Sequence, residues 1–207
     1  MMRTDLEAIA REARGFMPHN EGMGLYETAL RMTSADTIVE IGSYCGKSTI
    51  YLGAAALENE SLVFTIDHHR GSEEMQQGWE HHEVELVDPG TGKIDSLPEL
   101  RRNLERAGLE HVVVPIIGDS QTVAKRWSEP VSMLFIDGGH GTEPAHTDYE
   151  EWTPKIIDGG FLAIHDVFAD PADGGRPPYE IYCRALEEGG FGLFSSVGSL
   201  QILRRTS

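Results

Sequence analysis

Three short runs in this 207-residue chain carry side chains whose types and spacing suit chemistry. Phe135-Ile136-Asp137-Gly138-Gly139-His140 and Ala163-Ile164-His165-Asp166 are apolar runs that end in acids and imidazoles. Carboxylates such as Asp137 and Asp166 are hard oxygen donors of the kind that hold Mg²⁺. If the two runs are adjacent parallel strands, their ends lie side by side and both acids can share one divalent cation. The third run, Glu40-Ile41-Gly42-Ser43-Tyr44-Cys45-Gly46-Lys47-Ser48, follows an apolar stretch and leads into a helical one. Glycines at such a turn let the backbone bend sharply and approach a ligand closely.

Three ligand classes compete for that turn. A phosphate-binding P-loop needs glycine where this chain has Ile41, and a dinucleotide fingerprint needs glycine where it has Tyr44. The remaining pattern, an acid and then GxxxG, is met by Glu40, Gly42 and Gly46. It resembles motif I of class I S-adenosylmethionine-dependent methyltransferases. That cofactor carries a sulfonium cation and no pyrophosphate, so an acid beside the loop is compatible with it. Asp67 ends the next apolar run, where a carboxylate can accept both hydroxyls of a ribose. Gly118-Asp119-Ser120 follows the third and resembles the family's adenine-recognition turn. Acids in this order extend the resemblance over residues 37–204. It implies S-adenosylmethionine as cofactor, held by Glu40, Gly42, Ser43, Gly46, Asp67, Asp119, Ser120 and Asp137.

The two acidic runs resemble metal-dependent O-methyltransferases, in particular the sugar-methylating branch related to macrolide-sugar and cephalosporin-pathway enzymes. There an IDxxH run supplies a metal-binding acid and then a catalytic histidine, positions held here by Asp137 and His140. The family's other ligands are two carboxylates, or an acid and an amide, at the end of the next strand. Asp166 carries over and His165 departs from the pattern, so the implied ligand set is Asp137, His165 and Asp166. Imidazole suits Mn²⁺, Fe²⁺ or Zn²⁺ better than Mg²⁺. His165 is therefore either a direct ligand of a softer metal, or it stands behind the ligands while water completes a Mg²⁺ sphere. Mg²⁺ is the expected ion, with Mn²⁺ next.

The chemistry links these parts. A sugar hydroxyl scarcely ionises at neutral pH; a divalent cation at its oxygen favours the alkoxide, and the His140 imidazole can take the proton. The expected activity is methyl transfer to a sugar or oligosaccharide hydroxyl. A catechol- or caffeoyl-CoA-type O-methyltransferase is the alternative within enzymes. A non-catalytic nucleoside-binding module is the alternative outside them, though it has no use for Asp137, His140 and Asp166 together. His68, His69, His81 and His82, with Arg70, Glu73, Glu74 and Trp79, lack the cysteines and ligand spacing of a zinc site. They read as a carbohydrate-contacting wall or a solvated loop. The run from His68 to Ser72, the IDGGH segment and the short N-terminal helices resemble small actinobacterial sugar methyltransferases. Tyr149 and Trp152 read as core, and Cys45, with no evident base, has no nucleophilic role.

These residues must be positioned by a sheet. Apolar runs at 37–41, 62–67, 112–117, 133–137 and 161–165 do not alternate, as a strand buried on both faces requires. Helical stretches at 48–57, 97–107, 121–127, 144–157 and 178–188 separate them. Such alternation predicts an α/β fold, a single doubly wound Rossmann-like methyltransferase sheet that is mostly parallel. Runs at 191–197 and 200–204, joined by Gly198-Ser199, predict a C-terminal antiparallel hairpin. Residues 1–36 read as N-terminal helices capping the substrate side, ahead of a cofactor-binding domain over 37–207. Within them, capping boxes are expected at Thr4–Glu7 and Ser96–Glu99, a helix stop at Gly15, a loop at 18–22 and a helix over 23–32. Insertions near 68–95 and 170–178 leave the carboxyl ends of strands, the ligand-binding edge of such sheets.

Composition bounds the rest. A formal charge of −17 opposes a sequence-independent grip on nucleic acid or an anionic membrane. No stretch reaches the ~18 apolar residues of a membrane span, and residues 1–7 lack the apolar core of a secretory signal. Two cysteines without CxxC spacing make no disulfide framework. The expectation is a cytoplasmic protein, with a homodimer possible.

Overall fold

The computed structural model of the protein describes residues 1–72, 83–139, 141–170 and 172–206. Two helices open the chain, α1 (Thr4–Glu12) and α2 (His19–Ala29). The sheet then begins with β1 (Thr37–Ile41), α3 (Lys47–Asn59) and β2 (Leu62–Asp67). A small antiparallel pair follows, β3 (Val87–Asp88) and β4 (Lys93–Ile94), and then α4 (Leu97–Ala107) and β5 (Val113–Ile117). Next come α5 (Ser120–Ala124), β6 (Val131–Ile136), α6 (Thr142–Trp152) and β7 (Ile156–Ile164). Helix α7 (Arg176–Glu187) leads to the hairpin β8 (Phe191–Val197) and β9 (Leu200–Arg205).

Seven strands form one sheet in the order β5-β2-β1-β6-β7-β9-β8. The pairs from β5 through β7 are parallel, and β9 runs against both β7 and β8. The expected α/β sheet, mostly parallel with a C-terminal antiparallel hairpin, is the observed one. Successive side chains of a strand face opposite ways. Met133 and Phe135 of β6 join a core with α1 to α4, while Leu134 and Ile136 join a second core with α6 and α7. Two covered faces leave no polar side to alternate with, hence the unbroken apolar runs. The chain winds outward from β1 through β2 to β5, then returns to place β6 against the other side of β1. That reversal opens a crevice at the carboxyl ends of β1 and β6.

Several local expectations fail for identifiable reasons. The expected loop at 18–22 is instead Pro18 as the N-cap of α2 followed by the first turn of that helix. Gly22 is a contact residue, since a Cβ there would sit 2.3 Å from the Tyr51 ring. Neither capping box forms: Thr4 lies inside α1 behind Arg3, and the Ser96 hydroxyl meets His69 Nδ1 at 2.8 Å instead. Helix α1 ends at Glu12, short of Gly15, and α2 ends at Ala29. Helix α6 stops at Trp152 because Pro154 removes a donor, and the Ile156-Ile157 pair given to it begins β7. The described part of the 68–95 insertion contains β3 and β4, and α7 takes in the last three residues of 170–178. Tyr149 and Trp152 are buried as expected. Among the described residues no helix is long and apolar enough to cross a membrane.

Candidate active site

The turn after β1 is set by its own packing. Gly42 and Gly46 both have φ of +89°, a region that L side chains avoid. A Cβ on Gly42 would lie 2.2 Å from the Asp137 carbonyl oxygen, and one on Gly46 would lie 2.6 Å from Leu100 Cδ1. The Gly42 amide donates to Ile66 O at 3.0 Å and the Asp137 amide to Ile41 O at 2.9 Å. Both glycines are therefore needed because neighbouring chain presses on the turn.

Glu40, expected at the cofactor, lies wholly beneath that turn. Its carboxylate accepts from the hydroxyls of Ser48, Thr49 and Thr65, each at 2.6 Å. Burial pushes its pKa up to about 7 against the pull of those hydroxyls, and the Asp137 charge adds to the rise. Lys47, which makes the turn look like a phosphate loop, sends Nζ away to Ala13 O at 3.1 Å. The turn thus faces its crevice with acids and without that cation, which disfavours phosphate and suits a positively charged ligand.

The remaining cofactor candidates sit around the same crevice. Asp67, at the end of β2, accepts from the Tyr44 amide at 2.8 Å and the His69 amide at 2.7 Å, one on each oxygen. A carboxylate oxygen has lone pairs for more than one donor, so Asp67 retains capacity for a diol. Ser43 Oγ and His69 Nε2 are buried and have no hydrogen-bond partner among the described residues. Orphaned buried groups of this kind are uncommon in folded proteins; here one belongs to His69 and the other to the neighbour of Tyr44, the two residues whose amides bind Asp67, and they fit a polar ligand. Asp119 caps α5, accepting from the Thr122 amide and hydroxyl at 2.8 Å, so part of its capacity is spent on its own helix. Ser120 donates to Asp148, a carboxyl whose pKa burial pushes up to about 6.

At the ends of β6 and β7 the acids converge. Single ligand atoms of Asp137, His165 and Asp166 all lie within 4.8 Å of one another, an arrangement able to hold a metal ion. His165 Nδ1 lies 3.2 Å from Asp137 Oδ1 and 3.4 Å from Asp166 Oδ2. Its Nε2 lies 2.7 Å from Glu21 Oε2. Burial works against charge on this ring. The Asp137, Asp166 and Glu21 carboxylates outweigh that cost and push its pKa up to about 12. Three carboxylates around one imidazolium still leave excess negative charge, which a divalent cation would offset. The donor set of two carboxylates and an imidazole fits such an ion.

His140, the expected base, lies outside the described residues, as do His81, His82, Glu73, Glu74 and Trp79. Of the remaining insertion histidines, His69 is buried with its Nδ1 against the Ser96 hydroxyl. His68 is exposed, its Nδ1 accepting from the Arg70 amide at 3.0 Å. The Cys45 thiol is pushed up to about 12 by burial, in keeping with no nucleophilic role. Sequence reasoning missed Glu21, Ser199 and Asp148. Glu21 had no signal, because the glycines beside it read as a loop.

Residues 39–167, more than half of the chain, match the family described as a methyltransferase domain, and the chain belongs to that family. Solved structures share its fold. The O-methyltransferase NovP superposes with a TM-score of 0.70 at 16% identity, over 97% of this chain and 88% of that one. TomG from Streptomyces achromogenes, an O-methyltransferase of tomaymycin synthesis solved with S-adenosylmethionine, gives 0.65 at 17%, over 100% and 92%. The S-adenosylhomocysteine-bound methyltransferase PaMTH1 from Podospora anserina gives 0.67 at 14%, over 100% and 89%.

Proposed function

We propose that the protein is a divalent-metal- and S-adenosylmethionine-dependent O-methyltransferase acting on a hydroxyl of a sugar or oligosaccharide. The observation that carries this reading is the adjacency of the acidic cluster to the Gly42 turn, joined by the Asp137 amide bond to Ile41 O. S-adenosylmethionine, when bound, supplies a methyl group already activated on sulfur. A divalent ion, when bound, lowers the cost of ionising a neighbouring hydroxyl.

The chain's own residues do the rest. Asp67 accepts from the ribose hydroxyls, and Ser43 offers its unpaired hydroxyl to the same ligand. Asp119 and Ser120 form the turn on the adenine side. Glu40 acts on the turn from below, keeping its backbone in place. Asp137, His165 and Asp166 would hold the ion, and the negative field around them favours both it and the sulfonium. His140 follows Asp137 by three positions across two glycines and takes the acceptor proton. Its neutral form is required, so the rate rises with pH through an imidazole-like pKa.

Methyl transfer from labelled cofactor to a panel of mannosides, glucosides and catechols, with and without chelator, tests this. Transfer to a sugar that stops on chelation is expected. Transfer to catechols alone would replace the acceptor class, and cofactor binding without transfer to any hydroxyl would sink the reading.

A further inference from the structure

Glu21 belongs to an N-terminal helix, yet it is buried against the acidic cluster on the far side of the sequence. Both of its oxygens are engaged. Oε1 accepts from the Ser199 amide at 2.8 Å, and Oε2 accepts from the Ser199 hydroxyl at 3.1 Å and faces His165 Nε2 at 2.7 Å. The β8–β9 turn is built around it. Gly198 has φ of +58°, and a Cβ there would lie 2.1 Å from Glu21 Oε1. Any side chain at 198 would push the carboxylate off His165.

A carboxylate receiving two Ser199 donors can meet Nε2 only as an acceptor, so Nε2 must carry its hydrogen. An ion held among Nδ1, Asp137 and Asp166 would take the place of the Nδ1 proton, while the Nε2 proton would stay on the Glu21 side. Nδ1 is the nitrogen that faces Asp137 and Asp166, at 3.2 and 3.4 Å. We propose that Glu21 is the positioning residue of the metal site: it commits His165 to the Nε2–H tautomer and so presents Nδ1 as a direct ligand beside Asp137 and Asp166. The proposal rests on the metal reading above and settles its open choice, since His165 then ligates and does not stand behind water. A carboxylate behind a ligating imidazole is a common way to fix its orientation and raise its basicity. With one nitrogen donor among oxygens, the site prefers Mn²⁺ to Mg²⁺. The N-terminal helices would thereby become part of the metal site through Glu21.

Titration calorimetry with Mn²⁺ and Mg²⁺, on the full chain and without methyl donor or acceptor, provides the test. Glu21→Gln should weaken Mn²⁺ binding ~10- to 100-fold and shrink the preference for Mn²⁺ over Mg²⁺. Ser199→Ala, which keeps the amide bond and the His165 contact, should change Mn²⁺ affinity only a few-fold. If the wild type binds neither ion, the metal reading itself fails and takes this inference with it. If the wild type binds Mn²⁺ and folded Glu21→Gln binds it equally, Glu21 has no such role while the metal reading stands. Should Glu21→Gln fail to fold, ¹⁵N NMR of the Zn²⁺-loaded wild type decides. A metal-bound Nδ1 with hydrogen on Nε2 is expected; a metal-bound Nε2, or an imidazole free of Zn²⁺, would overturn the proposal.

Discussion

The two halves of the crevice are built in opposite ways. On the β1–β2–β5 side, Glu40 and Asp67 are held from within one stretch of chain, by partners no more than 25 positions away: Glu40 by Ser48, Thr49 and Thr65, and Asp67 by Tyr44 and His69. Asp119 is held by Thr122 of its own helix. On the β6–β7 side, His165 is held by Glu21, which is 144 positions away, and by Asp137, which is 28 away. The first half is a motif that folds largely on itself. The second exists only when the N-terminal helix, two strand ends and the C-terminal hairpin meet. A ligand site made of local contacts can be recognised from a short run of residues, whereas one made of distant contacts is invisible until the chain has folded.

That contrast can be broken experimentally. Asp166→Ala should abolish methyl transfer while leaving S-adenosylmethionine affinity within a few-fold, as measured by calorimetry. Loss of cofactor affinity on the same scale as activity would show that the halves are one site. His140→Ala should lower kcat by ~10²–10⁴ with cofactor affinity again preserved. A drop of only a few-fold in steady-state assays would remove His140 from the role of base.

The converse change lies in the other half. Asp67→Ala removes a charged acceptor and should cost ~1.5–3 kcal/mol of cofactor binding, roughly 10- to 150-fold in Kd. Mn²⁺ affinity measured without cofactor should not follow it; a parallel fall would again merge the halves. The smallest effect concerns Glu40. Its folded pKa of about 7 lies above the ordinary value of 4.5, so between those pH values the folded protein keeps a proton that the unfolded chain has lost. Its contribution to stability therefore falls as pH rises through that window and levels off above it, with a slope of at most ~1.4 kcal/mol per pH unit. Denaturant titrations of wild type and Glu40→Gln across the window should differ by this slope. A difference that stays flat across the window would mean that Glu40 is ionised throughout.

Much of this was legible in the residues. The non-alternating runs gave the sheet because a strand covered on both faces has nowhere to put a polar side chain, as at Val131–Ile136. The hairpin followed from Gly198-Ser199, which is too short for a crossover helix. Asp137, His165 and Asp166 were placed together because parallel neighbours end at the same edge. Other features were misread for want of context. Gly22 looked like a breaker because sequence alone does not show that Tyr51 lies against it. Ser96 looked like a cap because its hydroxyl's partner, His69, comes from another strand end.

By itself, then, the sequence determined the order of the elements, the sharp turn at Gly42 and the carboxyl edge at which reactive residues collect. Those follow from periodicity, from positive φ at glycine and from the geometry of parallel strands, all of which act over a few residues. Only the tertiary structure decided which way the reactive groups face. It turned Glu40 inward under three hydroxyls and sent Lys47 away from the crevice to Ala13. It also brought Glu21 across the fold to His165, giving the second nitrogen of a buried imidazole a partner from the other end of the chain.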